Sequence, residues 1–339
     1  MSKILILKND RAGDLMTSLN LISSLRNYNN DIKIYLSELN IGFSFFFEEM
    51  IIDKVNFNLN LNDKFKIFFD LYKNSYDKVY ILSPKSYYFL LPLFFRRVKF
   101  YSIVYNNKRN RPGSFLRKFL YKYKIIYRNK INAKSYRDIQ LELLDKGELA
   151  DNNFSKLLIP KISNNLKNIL PRRFLFFQFR YFFFLKLGWG LKEFNLLMNK
   201  LLTKYDYILF SSDNENEEKI IEYNKYFEEN FSTIDTNFNL KIINKSNKRI
   251  FYLSNLNAKN LFLICKESEI NLAKEGIISH ISFFHKKKCH NLFNFKINSY
   301  EDYNFQKISY SEWSKDMKFS FSFLNSNINK AIKKILKNV

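Results

Sequence analysis

Asp14 is the first residue of the chain whose type and place suit chemistry. It follows Arg11-Ala12-Gly13 after an apolar run, Ile4-Leu5-Ile6-Leu7, and precedes Leu15, Leu19, Ile22 and Leu25 at helical spacing. That pattern predicts a buried strand, a tight polar turn carrying Gly13-Asp14, and a helix, the opening of an α/β domain. Open α/β sheets bind ligands at the carboxyl ends of their strands, so this carboxylate is expected in a crevice. Read from the residues alone, an acid there suits the cap of the helix. The chain has only seven glycines, and one spent at Gly13 points to a backbone requirement there.

A second constellation is Glu275-Gly276-Ile277-Ile278-Ser279-His280. An acidic, glycine-bearing loop that opens a helix offers free N–H groups and a positive dipole end to a diphosphate. Its carboxylate can accept hydrogen bonds from sugar or ribose hydroxyls. The plainer alternatives are an exposed loop acid at Glu275 and a packing role for His280. His280, His285, Cys289 and His290 lie close together, but their spacing fits no paired-ligand zinc pattern, and no metal is expected. No P-loop or dinucleotide fingerprint occurs, so ATPase and dehydrogenase readings fail.

The elements that would position these groups alternate. Strands are expected at Ile32–Leu36, from Lys54, at Asp77–Leu82 and at Val98–Val104. Helices are expected at Phe43–Met50, Phe65–Lys73, Phe89–Phe95 and Ser135–Lys146. Residues 156–172, with Pro160, Ser163-Asn164-Asn165 and Pro171, read as a linker between a domain at 1–155 and another at 173–325. The pattern then restarts: strand Phe174–Phe179, helix Leu191–Leu202, strand Tyr207–Phe210, a charged helix at 215–230, short elements at 240–243 and 249–253, helix Leu256–Lys266 and strand Glu269–Leu272. Residues 326–339 form an amphipathic helix expected to pack back on the body.

Composition bounds the partners. The formal charge is +24 and aromatic content is 18%, with 37 Phe and 22 Tyr. Codon drift in an AT-rich genome explains most of both. Basic clusters stand out at Arg96-Arg97, Lys108–Arg111, Arg117-Lys118 with Lys122 and Lys124, and Lys286–Lys288. The apolar stretch Tyr87–Phe95 runs into Arg96-Arg97, which suits peripheral contact with an anionic membrane. Its plainer reading is a buried helix ending in a solvated turn. No apolar run reaches the ~18–20 residues of a membrane span. Two cysteines, Cys265 and Cys289, give no disulfide framework. A cytoplasmic protein, at most peripheral at the inner face of the membrane, is expected.

Arg11-Ala12-Gly13-Asp14-Leu15 resembles the N-terminal motif of glycosyltransferase family 9, the ADP-heptose:lipopolysaccharide heptosyltransferases and their relatives. Glu275 to His280, about 260 residues later, resembles the family's C-terminal loop, with Glu for the usual Asp and Ile277 where the family has Gly. Lys186-Leu187-Gly188-Trp189-Gly190-Leu191-Lys192-Glu193-Phe194 resembles a third motif, with Lys186 one residue out of step and Trp189 read as a core anchor.

This resemblance implies an α/β fold of two Rossmann-like domains facing across a cleft (the GT-B type). It implies metal-independent transfer of a sugar from a nucleotide-diphosphate donor to a hydroxyl of a lipopolysaccharide-core or related glycan. Asp14 would be the general base, with Arg11 and Gly13 in the acceptor loop. Arg180 or Lys186 would hold the leaving diphosphate, with Glu275, Gly276, Ser279 and His280 near the donor. An ADP-sugar is the default donor and substrate, no cofactor is implied, and the chain is expected to be a monomer.

Three rivals remain. One is a degenerate member with a binding or assembly role, suggested by Ile277 and the displaced Lys186. One is a sugar-nucleotide epimerase of the same fold, which the Gly13-Asp14 loop fits less well. The last is a nucleic-acid binder, suggested by charge alone, although the basic residues are scattered rather than aligned.

Overall fold

The computed structural model describes residues 2–339 except 29–30, 107–112, 128–134, 214–216, 237–240, 244–248, 275, 295–318 and 325–326. The basic run Lys108–Arg111 and Glu275 therefore lie outside the described residues. The described residues form two compact units, one within Met1–Ile159 and the other within Pro160–Asn298 and Trp313–Val339.

The first unit is built on a six-stranded sheet. Its strands are β1 (Lys3–Lys8), β2 (Asp31–Ser37), β3 (Ile51–Val55), β4 (Lys78–Ile81), β5 (Lys99–Tyr105) and β6 (Lys122–Ile126), in the order β3-β2-β1-β4-β5-β6. Every pairing is parallel. Parallel strands need crossovers, and these are supplied by α1 (Ala12–Arg26), a 3-10 helix at Ile41–Phe47, α2 (Leu61–Asn74), a 3-10 helix at Ser86–Phe89 with α3 (Leu91–Phe94), and α4 (Ser114–Arg117). Leu5, Leu7, Val79 and Ile81 bury one sheet face against Ile67 and Leu71 of α2 and Leu91 of α3. The helix expected at Ser135–Lys146 is shorter, α5 (Tyr136–Leu141), capped by Ser135.

α1 is not simply amphipathic. Every residue from Leu15 to Leu25 is buried, including Thr17, Ser18, Asn20, Ser23 and Ser24. α5 and the segment at 151–157 cover its polar side. Asp151 accepts hydrogen bonds from the Ser23 hydroxyl and from the amides of Asn153 and Ser155. Burial alone would raise the Asp151 pKa, but these bonds outweigh it and hold the carboxyl below its usual range.

The second unit carries an eight-stranded sheet. Its strands are β7 (Leu175–Gln178), β8 (Ile208–Ser211), β9 (Ser232–Asp235), β10 (Lys241–Ile243), β11 (Ile250–Ser254), β12 (Ile270–Lys274), β13 (Lys288–Asn294) and β14 (Phe319–Leu324), in the order β10-β9-β11-β8-β7-β12-β13-β14. Only β10 is antiparallel to its neighbour. Its helices are α6 (Asn164–Ile169), α7 (Tyr181–Leu185), α8 (Leu191–Leu201), α9 (Glu218–Asn230), α10 (Ala258–Glu267), α11 (Ile277–Phe284) and α12 (Ile328–Asn338). Aromatic rings dominate the core: Phe179, Phe194 and Phe227 meet with centroids 4.9–5.6 Å apart. α12 buries Ala331, Ile332 and Ile335 in the same core. The expectation of two Rossmann-like α/β domains is borne out unit by unit.

Candidate active site

In a doubly wound sheet, the crevice opens where strand order reverses, beside the first strand. In the first unit that point lies between β1 and β4, where Leu7 is in register with Ile81. The loop after β1 is Asn9-Asp10-Arg11, and the helix begins at Ala12, earlier than the sequence suggested. Gly13 is therefore helical and has no positive φ, so a left-handed backbone is not the reason for a glycine there. Arg11 is the N-cap residue, exposed and without a side-chain capping bond. Asp14 sits in the first turn, exposed, and does not cap the helix; its backbone carbonyl accepts the Thr17 hydroxyl at 2.7 Å. A carboxylate there is favoured by the helix dipole and is open to an incoming hydroxyl.

Beside Asp14 stands a residue the sequence reading passed over. Lys8, the last residue of β1, is 2% exposed, and its Nζ donates to Asp10 Oδ2 at 2.8 Å and to the Leu82 carbonyl at 3.3 Å. Burial raises the Asp10 pKa from 3.8 to about 6; Lys8 opposes the rise and the Asp14 charge adds to it. The Ser83 hydroxyl, just past β4, lies beside this carboxyl and favours its charged form, but neither it nor Asp10 Oδ1 completes a well-aligned hydrogen bond. Lys85 donates to the Phe57 carbonyl and lies 4.3 Å from the Phe57 ring centroid; burial lowers its pKa. Tyr88 donates to Asn9 Oδ1 at 2.8 Å. Three carboxyl-end loops thus converge on one polar edge. The available signal was a second acid four residues before Asp14, just after the strand.

In the second unit the order reverses between β7 and β12, with Gln178 in register with Ala273. The expected donor residues divide between the two loops at that point. Arg180 follows β7 and is the N-cap residue of α7; its Nη1 lies 2.9 Å from Asp213 Oδ1. Asp213 follows β8, is 5% exposed, and accepts the Tyr181 amide at 2.9 Å through Oδ2. It fixes the start of α7 and steers the guanidinium, a partner that only topology reveals. Lys186 ends α7 and is exposed. In the segment after it, Gly188 takes φ 72°, Trp189 is buried against Phe184, and Glu193 Oε2 accepts the Gly190 amide at 2.8 Å to start α8. Trp189 is the core anchor expected.

Across the switch point, Gly276 begins α11 with φ 154° and ψ −144°, a backbone region essentially reserved for glycine. His280 lies in the first turns, half-buried, its amide bonded to the Gly276 carbonyl. Ser279 is turned the other way: it is fully buried and donates to Asn291 of β13, so it anchors α11 rather than lining the crevice. His285 Nε2 meets the Phe262 carbonyl at 3.2 Å, and His290 lies between the Ser320 and Ser322 hydroxyls. Cys265 and Cys289 are free and buried. No described helix is long and apolar enough to cross a membrane.

No protein-family model and no curated protein matches the sequence. Solved structures do match its fold. The Escherichia coli ADP-heptose lipopolysaccharide heptosyltransferase II superposes with a TM-score of 0.63 at 12% identity, covering 99% of this chain and 97% of the other. A glycosyl transferase family 9 structure from Veillonella parvula gives 0.58 at 12% identity over 100% and 90%. The UDP-GlcNAc 2-epimerase of Methanocaldococcus jannaschii gives 0.57 at 15% identity over 98% and 92%. The chain is thus similar in fold, over nearly its whole length, to heptosyltransferases of this family and to sugar-nucleotide epimerases.

Proposed function

We propose that this chain is a glycosyltransferase that moves a sugar from a nucleoside-diphosphate donor to a hydroxyl of a glycan or glycolipid acceptor. One observation carries the reading: in each unit, the residues singled out by chemistry lie in the loops and helix starts beside the strands that flank the switch point. Asp14 and Asp10 follow β1; Arg180 follows β7, with Lys186 at the far end of the short α7; Gly276 and His280 follow β12. The fold likeness to heptosyltransferases supports the same reading.

In this reaction Asp14 takes the proton of the acceptor hydroxyl as its oxygen forms the new bond to the anomeric carbon. The bond from that carbon to the diphosphate breaks, and the charge that leaves is met by Arg180, Lys186 and the free amides opening α11. Asp213 keeps Arg180 aimed, and Gly276 lets the backbone turn close to the phosphates. An ADP-sugar, heptose-like, is the first donor to test. No step calls for a metal ion.

The test is a thermal-shift panel of ADP-, UDP-, GDP- and CMP-sugars on wild type and Asp14→Ala, followed by nucleotide release with and without a glycan acceptor. A ligand that binds the folded state raises the melting temperature by mass action. Stabilisation of both proteins by one nucleotide class, with acceptor-dependent release only in wild type, is the expected result. If no sugar nucleotide stabilises either protein, the transferase reading falls and a binding or assembly role replaces it.

The comparable fold match to UDP-GlcNAc 2-epimerases carries a second reading, isomerisation of the donor sugar itself. Its mark would be conversion of UDP-GlcNAc with no acceptor present.

A further inference from the structure

We infer that the outer face of α2 and α3 is a docking surface for an anionic lipid bilayer, which brings a lipid-linked acceptor to the Asp14 edge of the first unit. α2 has two apolar sides. Ile67 and Leu71 enter the core, while Phe65, Phe69 and Tyr72 stand outward, 51%, 52% and 73% exposed. The outward stripe keeps helical spacing, and Phe65 and Phe69 stack with centroids 6.2 Å apart. It runs on into α3 through Phe68, which packs on Phe94 at 5.7 Å; Phe94 is itself 66% exposed. A contiguous exposed aromatic patch of this kind marks an interaction site rather than ordinary surface.

Charge selects the occupant. Over residues 61–74 and 86–105 the only acids are Asp63 and Asp70, and both point inward. Asp70 accepts hydrogen bonds from Tyr35 and Asn74, and Asp63 from the Asn60 amide. The exposed charges of these two segments are basic: Lys66, paired with Asp53, Lys73 directly after Tyr72, Arg96 and Arg97 directly after Phe94-Phe95, and Lys99; the nearest exposed acid in sequence is Asp77, past the end of α2. Aromatic side chains that enter the headgroup boundary, ringed by cations that meet lipid phosphates, match an anionic bilayer. A single-stranded nucleic acid would call for a groove that tracks its backbone, whereas this stripe lies on the outside of a helix. The membrane contact expected from Tyr87–Arg97 therefore centres on α2, because Tyr88, Phe89 and Leu91 are buried.

The placement also serves the acceptor. α2 starts at the same sheet edge as α1. The segment just before it is tied to the loop after β1, since Asn9 Nδ2 donates to the Asn56 carbonyl at 2.9 Å. A glycan anchored in lipid beneath Phe65 would approach the same carboxyl end of the sheet that carries Asp10 and Asp14. This part rests on the transferase reading; the docking surface itself does not.

The experiment is flotation of the full-length protein with vesicles of phosphatidylcholine alone, or of phosphatidylcholine and phosphatidylglycerol in equal parts. Wild type and Asp14→Ala should both float with the anionic vesicles only, and less so at high salt. Phe65→Ser/Phe69→Ser and Arg96→Glu/Arg97→Glu should each weaken binding by about tenfold or more. Lys333→Glu/Lys337→Glu on α12 should bind as wild type does, and circular dichroism should show all variants folded. Equal loss in the α12 variant would reduce the effect to net charge and overturn the proposal. So would undiminished binding by Phe65→Ser/Phe69→Ser, or displacement of the protein from vesicles by an oligonucleotide. Failure of the transferase reading would leave flotation unchanged, so the two outcomes are distinguishable.

Discussion

Lys8 and Asp10 form an ion pair of 2.8 Å around the last turn of β1, with the lysine 2% exposed. The pair sets the charge at the floor of the first crevice, and it titrates. The Asp10 pKa is raised on folding, to about 6. The native state therefore binds this proton more tightly than the unfolded chain. Its stabilising contribution is present below pH 3.8 and is lost as pH rises through 6, on the order of 2–3 kcal/mol in all. Asp10→Asn should flatten the stability of the first unit across pH 4–6.5, read by hydrogen exchange of the β1 amides. An unchanged slope would remove Asp10 from the account.

The second unit should respond in the opposite sense. Burial lowers the pKa of His290 to about 4; it lowers that of His285 to about 3, and the neighbouring Lys266 charge adds to the fall. Each contributes stability above pH 6.5 that is lost as pH falls through the folded value, a few kcal/mol at most. Trp189 emission in a Trp313→Phe background reports this unit, and it should collapse in acid before the β1 amides exchange. His290→Gln should shift that collapse to lower pH. Collapse at the same pH would show that another group governs it.

Asp14→Asn should lower donor turnover by about 10²–10⁴-fold, the usual contribution of a general base. Because Asp14 is exposed and makes no capping bond, the melting temperature should hardly move; loss of a first-turn acid costs only about 0.3–1 kcal/mol. Turnover retained to within a factor of a few would transfer the role of base to another group, with Asp10 the next to replace.

Arg180→Ala should weaken binding of a stabilising nucleotide by about tenfold, the worth of one charge-assisted contact. Asp213→Ala should weaken it as well, and should also lower stability, because the Tyr181 amide at the start of α7 loses its acceptor. A variant with intact nucleotide binding would leave the Asp213–Arg180 pair a purely structural bridge.

Asp151→Ala removes the acceptor for Ser23, Asn153 and Ser155 in one step. The buried Ser23 hydroxyl is then left unpaired, while the Asn153 and Ser155 amides belong to exposed residues and can turn to water, so a loss of about 1–3 kcal/mol is expected in urea melts. A loss below about 1 kcal/mol would mean that water replaces the carboxylate freely.

The β1–α1 unit was legible because an unbroken apolar run and a helical repeat leave few alternatives. The helix after Gly276 was expected only from the resemblance of Glu275–His280 to a family loop. Other features resisted. β6, Lys122–Ile126, carries alternating lysines and read as a charge cluster, although such residues suit a sheet edge. β13 begins at Lys288, inside another basic run. Ser279 shares a buried helix face with Ile278 and Ser282, a phase visible only once α11 is set against β13. Asp213 was missed because Arg180 is brought to it by sheet order and not by spacing; Asp10 was passed over although Lys8 lies two residues before it, and only its Ser83 neighbour depends on sheet order. Asp151 carries no signal in the sequence, yet it is the acceptor for the polar side of α1.

The strand order of the second unit has a consequence for biosynthesis. Its sheet is completed by β14, paired along its length with β13, and its core is closed by α12 against α8. Both follow every other element of that unit in chain order. The sheet of the first unit is complete once β6 has left the ribosome. The sheet of the first unit can therefore form while the second is still being made, whereas the second keeps its aromatic core open until β14 and α12 have emerged. For that interval the nascent chain depends on chaperones more than the finished protein does.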